Sequence, residues 1–123
     1  MTMTNREAAR DMYEMLAQGK LLEAFDKYYA DDVVMDEPRG KREGKPTCRT
    51  YEEQFLASVE AFHDMGVTAM AADDDHGKVL IETWMDLTFK GGGGRVRMEQ
   101  VAVQTWKDGK VVHERFYYDN SGS

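Results

Sequence analysis

The sequence predicts an α+β fold: three amino-terminal helices packed on a strongly curved, mostly antiparallel sheet. Three observations predict it. Apolar residues recur at helical spacing up to Gly66, and beyond it they alternate with period two. Asp108–Gly109 forms a two-residue turn between two alternating runs, of the kind whose twist matches paired strands. No linker, repeat or low-complexity stretch divides residues 1–123, so helices and strands share a single domain and core.

Thr4 with Glu7 forms a capping box that opens the first helix. Ala8, Ala9, Met12, Tyr13, Met15 and Leu16 follow at helical spacing, and Gly19 stops it. A second short helix carries Leu21, Leu22, Phe25, Tyr28 and Tyr29 along one side. "DDVVMDEP" reads as a brief strand ended by Pro38, and "RGKREGKP" as a polar loop. Thr50 with Glu53 is a second capping box, opening a third helix whose buried stripe is Phe55, Leu56, Val59 and Phe62, closed by Gly66. "VTAMAA" is then a strand and "DDDHG" its turn. "KVLIETWMDLTFK" places Val79, Ile81, Thr83, Met85, Leu87 and Phe89 on one face. "GGGG" (91–94) is a loose turn before the long strand "RVRMEQVAVQTW", and "VVHERFYYD" is the last strand.

The formal net charge is -7, with 41% apolar and 32% charged residues. So acidic a chain repels phosphate backbones and anionic membranes, which argues against nucleic-acid and membrane partners. "MTMTNREAARD" has no apolar segment and Cys48 has no second cysteine to pair with, so a cytoplasmic location is expected. The acidic cluster Asp73, Asp74, Asp75 and His76 has no calcium-loop spacing, and His63, His76 and His113 have none typical of zinc sites. No metal and no cofactor is expected. His63 is placed at the end of the third helix, where the dipole favours a cation.

The order helix, helix, short strand, helix and then long strands resembles the cone-shaped, cystatin-like fold of nuclear transport factor 2-like proteins. "YYADDVVMDEPRG" resembles the acidic-acidic-Pro-x-Gly segment of ketosteroid isomerases, and "WKDGKVVHERFYYD" resembles the closing hairpin of SnoaL-like polyketide cyclases. The isomerase resemblance implies a general base at Glu37. It implies an oxyanion-binding tyrosine on the first helix, which falls on Tyr13 or Met12 according to the anchor used. The isomerase's second oxyanion donor, a protonated aspartate, falls on Ala102, which cannot donate. The resemblance also implies a homodimer through the outer face of the sheet, where Trp84, Val101, Val103 and Tyr117 are too apolar to stay wet.

With the Asp108–Gly109 turn setting the register, Met98, Gln100, Ala102, Gln104 and Trp106 point inward, as do Glu114, Phe116 and Tyr118 on the last strand. Met12, Phe55 and Met85 join them as wall residues of an apolar pocket. The candidate chemistry is two carboxylates, Glu37 and Glu114, with Tyr13 and Tyr118 as hydrogen-bond donors. A carboxylate in apolar surroundings is pushed towards neutrality, as a general acid or base requires. Two readings stand side by side. One is a cofactor-free isomerase, cyclase or dehydratase moving a proton beside a carbonyl of a small hydrophobic polyketide-, steroid- or terpenoid-like substrate. The other is a dimeric, non-enzymatic binding or accessory module for an apolar ligand.

Overall fold

The computed structural model describes residues 2–119. Helix α1 (Asn5–Ala17) begins at the expected capping box: the Thr4 side chain accepts from the Glu7 amide, and the Glu7 carboxylate accepts from the Thr4 amide. Helix α2 (Leu21–Tyr28) runs straight into strand β1 (Tyr29–Glu37). Then follow β2 (Gly40–Glu43), helix α3 (Lys45–Ser58), β3 (Val59–Asp73), a short 3-10 turn over Asp74–His76, β4 (Lys78–Phe89), β5 (Gly94–Lys107) and β6 (Lys110–Tyr117). The six strands form one mixed sheet in the order β2-β1-β6-β5-β4-β3, parallel only between β1 and β6. This is the curved α+β cone, three helices on a sheet, that the sequence predicts. No helix among the described residues is long and apolar enough to cross a membrane.

Three expectations need correcting. The segment "RGKREGKP" is not a loop: Gly40–Glu43 pairs with β1, and α3 already starts at Lys45 with Pro46 in its first turn. Proline suits that position because its missing N–H has no partner there and its φ is already helical. Thr50 is therefore inside the helix, where its hydroxyl donates back to the Pro46 carbonyl at 3.1 Å instead of capping. At the other end α3 stops at Ser58, eight residues short of Gly66. Val59, Phe62 and His63 lie on β3, antiparallel to β4. Leu56 and Phe62, expected in the buried stripe, are 40% and 42% exposed. His63 meets no helix end; its Nε2 lies 2.7 Å from the Thr88 hydroxyl across the strand pair.

Gly66 has a different role from the one its position suggested. It sits opposite Trp84 in the β3–β4 register, and a Cβ there would lie 2.5 Å from the indole Nε1. The indole covers the bare backbone, and the Arg97 guanidinium lies 4.3 Å above the ring. Gly66→Ala is expected to displace Trp84 and cost ~1–2 kcal/mol, a fall of several degrees in melting temperature. An unchanged thermal transition would show that the indole can swing aside freely.

The alternation read for the later strands holds. Val79, Ile81, Thr83 and Leu87 of β4 are buried, and Leu80 and Glu82 are exposed. Asp108 and Gly109 both take positive φ, 52° and 77°, as the tight hairpin requires. The core joins Met12 and Tyr13 of α1, Phe25 and Tyr28 of α2, Val33 and Met35 of β1, and the inner residues of β4 to β6. Phe25 stacks on Tyr29 at 4.5 Å, and Tyr28 meets the edge of Trp106 at 5.7 Å. These rings pack the second helix against the inner face of the sheet.

Candidate active site

The wide end of the cone is hollow. A cavity of about 930 Å³ opens between the helices and the inner sheet face. Its wall includes Met12, Phe55, Met85, Gln100 and Phe116 of the expected ligand-contacting residues, and all four expected catalytic residues, Tyr13, Glu37, Glu114 and Tyr118. Ala102, Gln104 and Trp106 are not on it. They follow Met98 and Gln100 along the inner face of β5, but there the cone has narrowed and its side chains are fully packed, with Ala102, Gln104 and Trp106 buried in the core. Period-two alternation gives the face a residue occupies but not whether that face is hollow or filled.

Glu37 is not bathed in solvent. Its side chain is 8% exposed, and its carboxylate accepts from Arg42 Nη2 at 3.1 Å and from the Tyr51 hydroxyl at 3.4 Å. Burial, and then the Glu37 charge beside it, raises the Tyr118 hydroxyl above its ordinary range. Arg42 reaches this place because Met35 and Arg42 are directly paired between β1 and β2, so Arg42 shares the inner face with Met35 and Glu37. Its guanidinium lies 3.5 Å above the Tyr51 ring. Glu37 is thus an ion-paired, hydrogen-bonded carboxylate on the cavity wall, while Asp36 alternates outward to face His113 at 3.9 Å.

Glu114 is 1% exposed. It accepts a hydrogen bond from the Tyr29 hydroxyl and another from Gln104 Nε2 at 2.8 Å. The Gln104 carbonyl in turn accepts from Trp106 Nε1 at 3.0 Å. Burial pushes the Glu114 carboxyl above its ordinary range, while the bonds from Tyr29 and Gln104 pull it back.

Glu52 was not anticipated. It projects from α3 into the cavity, and its carboxylate accepts no hydrogen bond among the described residues. Loss of water, then repulsion from Glu114, pushes it up to about 7, with Glu37 adding to the rise and Arg42 opposing it. Its side chain is half-buried. Its inward aim follows from the spacing Cys48, Glu52, Phe55, one face of a helix that starts at Lys45. Tyr13 completes the group. Its hydroxyl donates to no described residue, and burial raises it well above the ordinary tyrosine range, so it remains a neutral donor on the cavity wall.

The chain is similar in structure to several solved proteins. A protein from Mesorhizobium loti, provisionally named a SnoaL-like polyketide cyclase, is 33% identical, with a TM-score of 0.81 over 94% of this chain and 100% of that one. A nuclear transport factor 2-like protein of unknown function from Burkholderia pseudomallei is 14% identical, with a TM-score of 0.82 over 98% and 95% of the two chains. A protein from Pseudomonas putida, provisionally named a polyketide cyclase, is 16% identical, with a TM-score of 0.79 over 98% and 95%. The last two likenesses show the fold alone. No curated protein matches the chain. The SnoaL-like domain family matches residues 3–118, almost the whole length. With that match and the cone on which it falls, the chain belongs to the SnoaL-like family.

Proposed function

We propose that this protein is a cofactor-free acid–base enzyme that moves a proton beside a carbonyl of a small hydrophobic molecule. The observation that carries this reading is Glu52: a desolvated, unbonded carboxylate in an apolar, aromatic cavity, poised at about 7. At that value it is substantially ionised at neutral pH, yet basic enough to accept a carbon-bound proton. The electron pair of the broken C–H bond moves into the new C=C bond, and the charge collects on the carbonyl oxygen. The neutral Tyr13 hydroxyl can donate to that oxygen. Glu37, the base that the isomerase resemblance implies, has its charge already matched by Arg42, so the proton goes to Glu52. Isomerisation, cyclisation and dehydration all begin with this step.

The test needs no natural substrate. 2-Tetralone, an aromatic ketone with acidic C–H bonds, is incubated with the protein in D2O, and loss of the α-proton signal is followed by NMR. Exchange about 100-fold faster than in buffer is expected, within the ~10²–10⁴ range of positioned proton transfer. Binding without faster exchange would leave the second reading, an apolar binding module. The ion pair that already engages Glu37 favours that alternative.

Copies of the chain are proposed to pair through the outer sheet face. Leu80, Val101, Val103 and Tyr117 adjoin one another there in register, with Leu80 and Tyr117 exposed. Light scattering at micromolar concentration should give twice the 14.1 kDa chain mass. A clean monomer would reject the pairing.

A further inference from the structure

The Arg42 guanidinium is bonded far below its capacity. Its five N–H bonds can serve several acceptors, but among the described residues its side chain has one hydrogen-bonded partner, Glu37 through Nη2. Arg42 Nε is the sole buried side-chain nitrogen or oxygen among the described residues without a hydrogen-bond partner. Leaving such a donor unpaired ordinarily costs ~1–3 kcal/mol, more when it is charged. The head group is held in place regardless, by the Tyr51 ring beneath it and the Glu37 carboxylate beside it, with the side chain only 15% exposed. It lines the wide end of the cavity, with Arg39 also on the wall.

Glu37 matches the charge of Arg42 but takes only one of its five N–H groups. A guanidinium on the wall of an apolar cavity with Nη donors still open suits a carboxylate better than a neutral group. We propose that Arg42 is the specificity residue of this cavity and that its ligand carries a carboxylate on an apolar skeleton. This assignment rests on the cavity being a ligand site, as the proposed function does, but not on any proton transfer there. Glu37 then orients the guanidinium, and Tyr51 supports it from below. The reacting carbonyl, near Tyr13 and Glu52, is a separate group of the same molecule.

Two probes of nearly equal shape separate the possibilities: 2-naphthoate, which is anionic, and 2-naphthamide, which is neutral. Titration calorimetry on the whole protein should show 2-naphthoate binding at least ten-fold tighter. Arg42→Met should cost 2-naphthoate at least ten-fold and 2-naphthamide less than three-fold. Arg42→Lys, which keeps the charge and loses the fork, should recover part of the preference. If Arg42→Met does not fold, Glu37→Gln decides: with its competing charge removed, 2-naphthoate should bind several-fold tighter. Equal affinities in the wild type, no binding of either probe, or an anion preference that survives Arg42→Met or is unmoved by Glu37→Gln would each overturn the assignment. Failure of 2-tetralone exchange alone would reject the enzyme reading and leave this one standing.

Discussion

Glu52→Gln is expected to abolish exchange of 2-tetralone while making the protein more stable above neutral pH. The two effects share one origin. Glu52 titrates at about 7 in the fold against an ordinary value of 4.5, because the cavity has taken away its water and placed Glu114 nearby. Below pH 4.5 the carboxyl is protonated in both folded and unfolded chains, so it contributes no difference. As the pH rises from 4.5 to 7, the unfolded chain releases this proton first, and ionisation pulls the equilibrium towards unfolding. Above 7 the penalty is complete, at most about 3 kcal/mol for a shift of this size. Glutamine has no proton to lose. Melting temperatures of variant and wild type should therefore lie closest at pH 4 and diverge at pH 8, with the variant higher by up to ~10 °C. Wild-type exchange should rise with pH and level off above 7 as the base ionises. A variant that kept wild-type exchange, or melted lower at pH 8, would remove Glu52 from its role as base.

This coupling explains why such a group persists in the fold. A carboxylate that merely supported the structure would be hydrogen-bonded, as Glu37 and Glu114 are. An unbonded one weakens the fold at the pH where it ionises, a burden that proteins tolerate mainly at functional sites.

Much of this arrangement was legible in the sequence, and the misses have physical causes. The later strands were readable because β4 and β5 pair in unbroken register from Lys78 to Phe89, so alternation survives along their whole length. Strand β3 was cut short and its start assigned to a helix because its register against β4 shifts at three places, between Val59 and Ala61, Phe62 and Asp64, and Val67 and Ala69. Each irregularity breaks the period of two. Phe55, Leu56, Val59 and Phe62 then happen to fall at helical spacing across a junction between helix and strand. The candidate site suffered from the same boundary errors. Starting α3 at Thr50 hid the stripe Cys48, Glu52, Phe55, and with it the raised carboxylate. Reading Gly40–Glu43 as loop hid Arg42, because a polar four-residue edge strand has no apolar alternation to reveal it. Glu37 and Tyr118 were placed on the cavity wall by motif and register, which depend on no helix boundary. Counting along the first helix left Tyr13 and Met12 as alternatives, and both line the cavity.

Glu114→Gln, ordinarily one of the mildest substitutions, is expected to destabilise this protein by about 1–3 kcal/mol. The reason lies in a directed chain of hydrogen bonds. The indole of Trp106 can only donate, so Gln104 must turn its carbonyl towards it and its amide nitrogen towards position 114. Tyr29 donates to the same carboxylate. Position 114 must therefore accept on both oxygens, and a carboxylate can. Glutamine offers one acceptor, and its own NH2 would face either the Gln104 NH2 or the Tyr29 hydroxyl. If Gln104 flips to receive it, Trp106 loses its acceptor in the buried core. A rearrangement that keeps Tyr29 donating leaves the Gln104 amide only the Met12 thioether, 3.3 Å away. One in which Tyr29 accepts instead leaves its O–H only that same sulfur, at 3.9 Å. A weak acceptor in place of a carboxylate oxygen sets the expected cost. The double variant Trp106→Phe/Glu114→Gln should recover part of the loss, because without the indole N–H the Gln104 amide is free to flip. The loss and its partial recovery are both read in denaturant unfolding at pH 6. If Glu114→Gln unfolds with the wild-type midpoint, the chain does not order the core in this way. If the double variant is simply the sum of the two single ones, Trp106 does not set the orientation of Gln104.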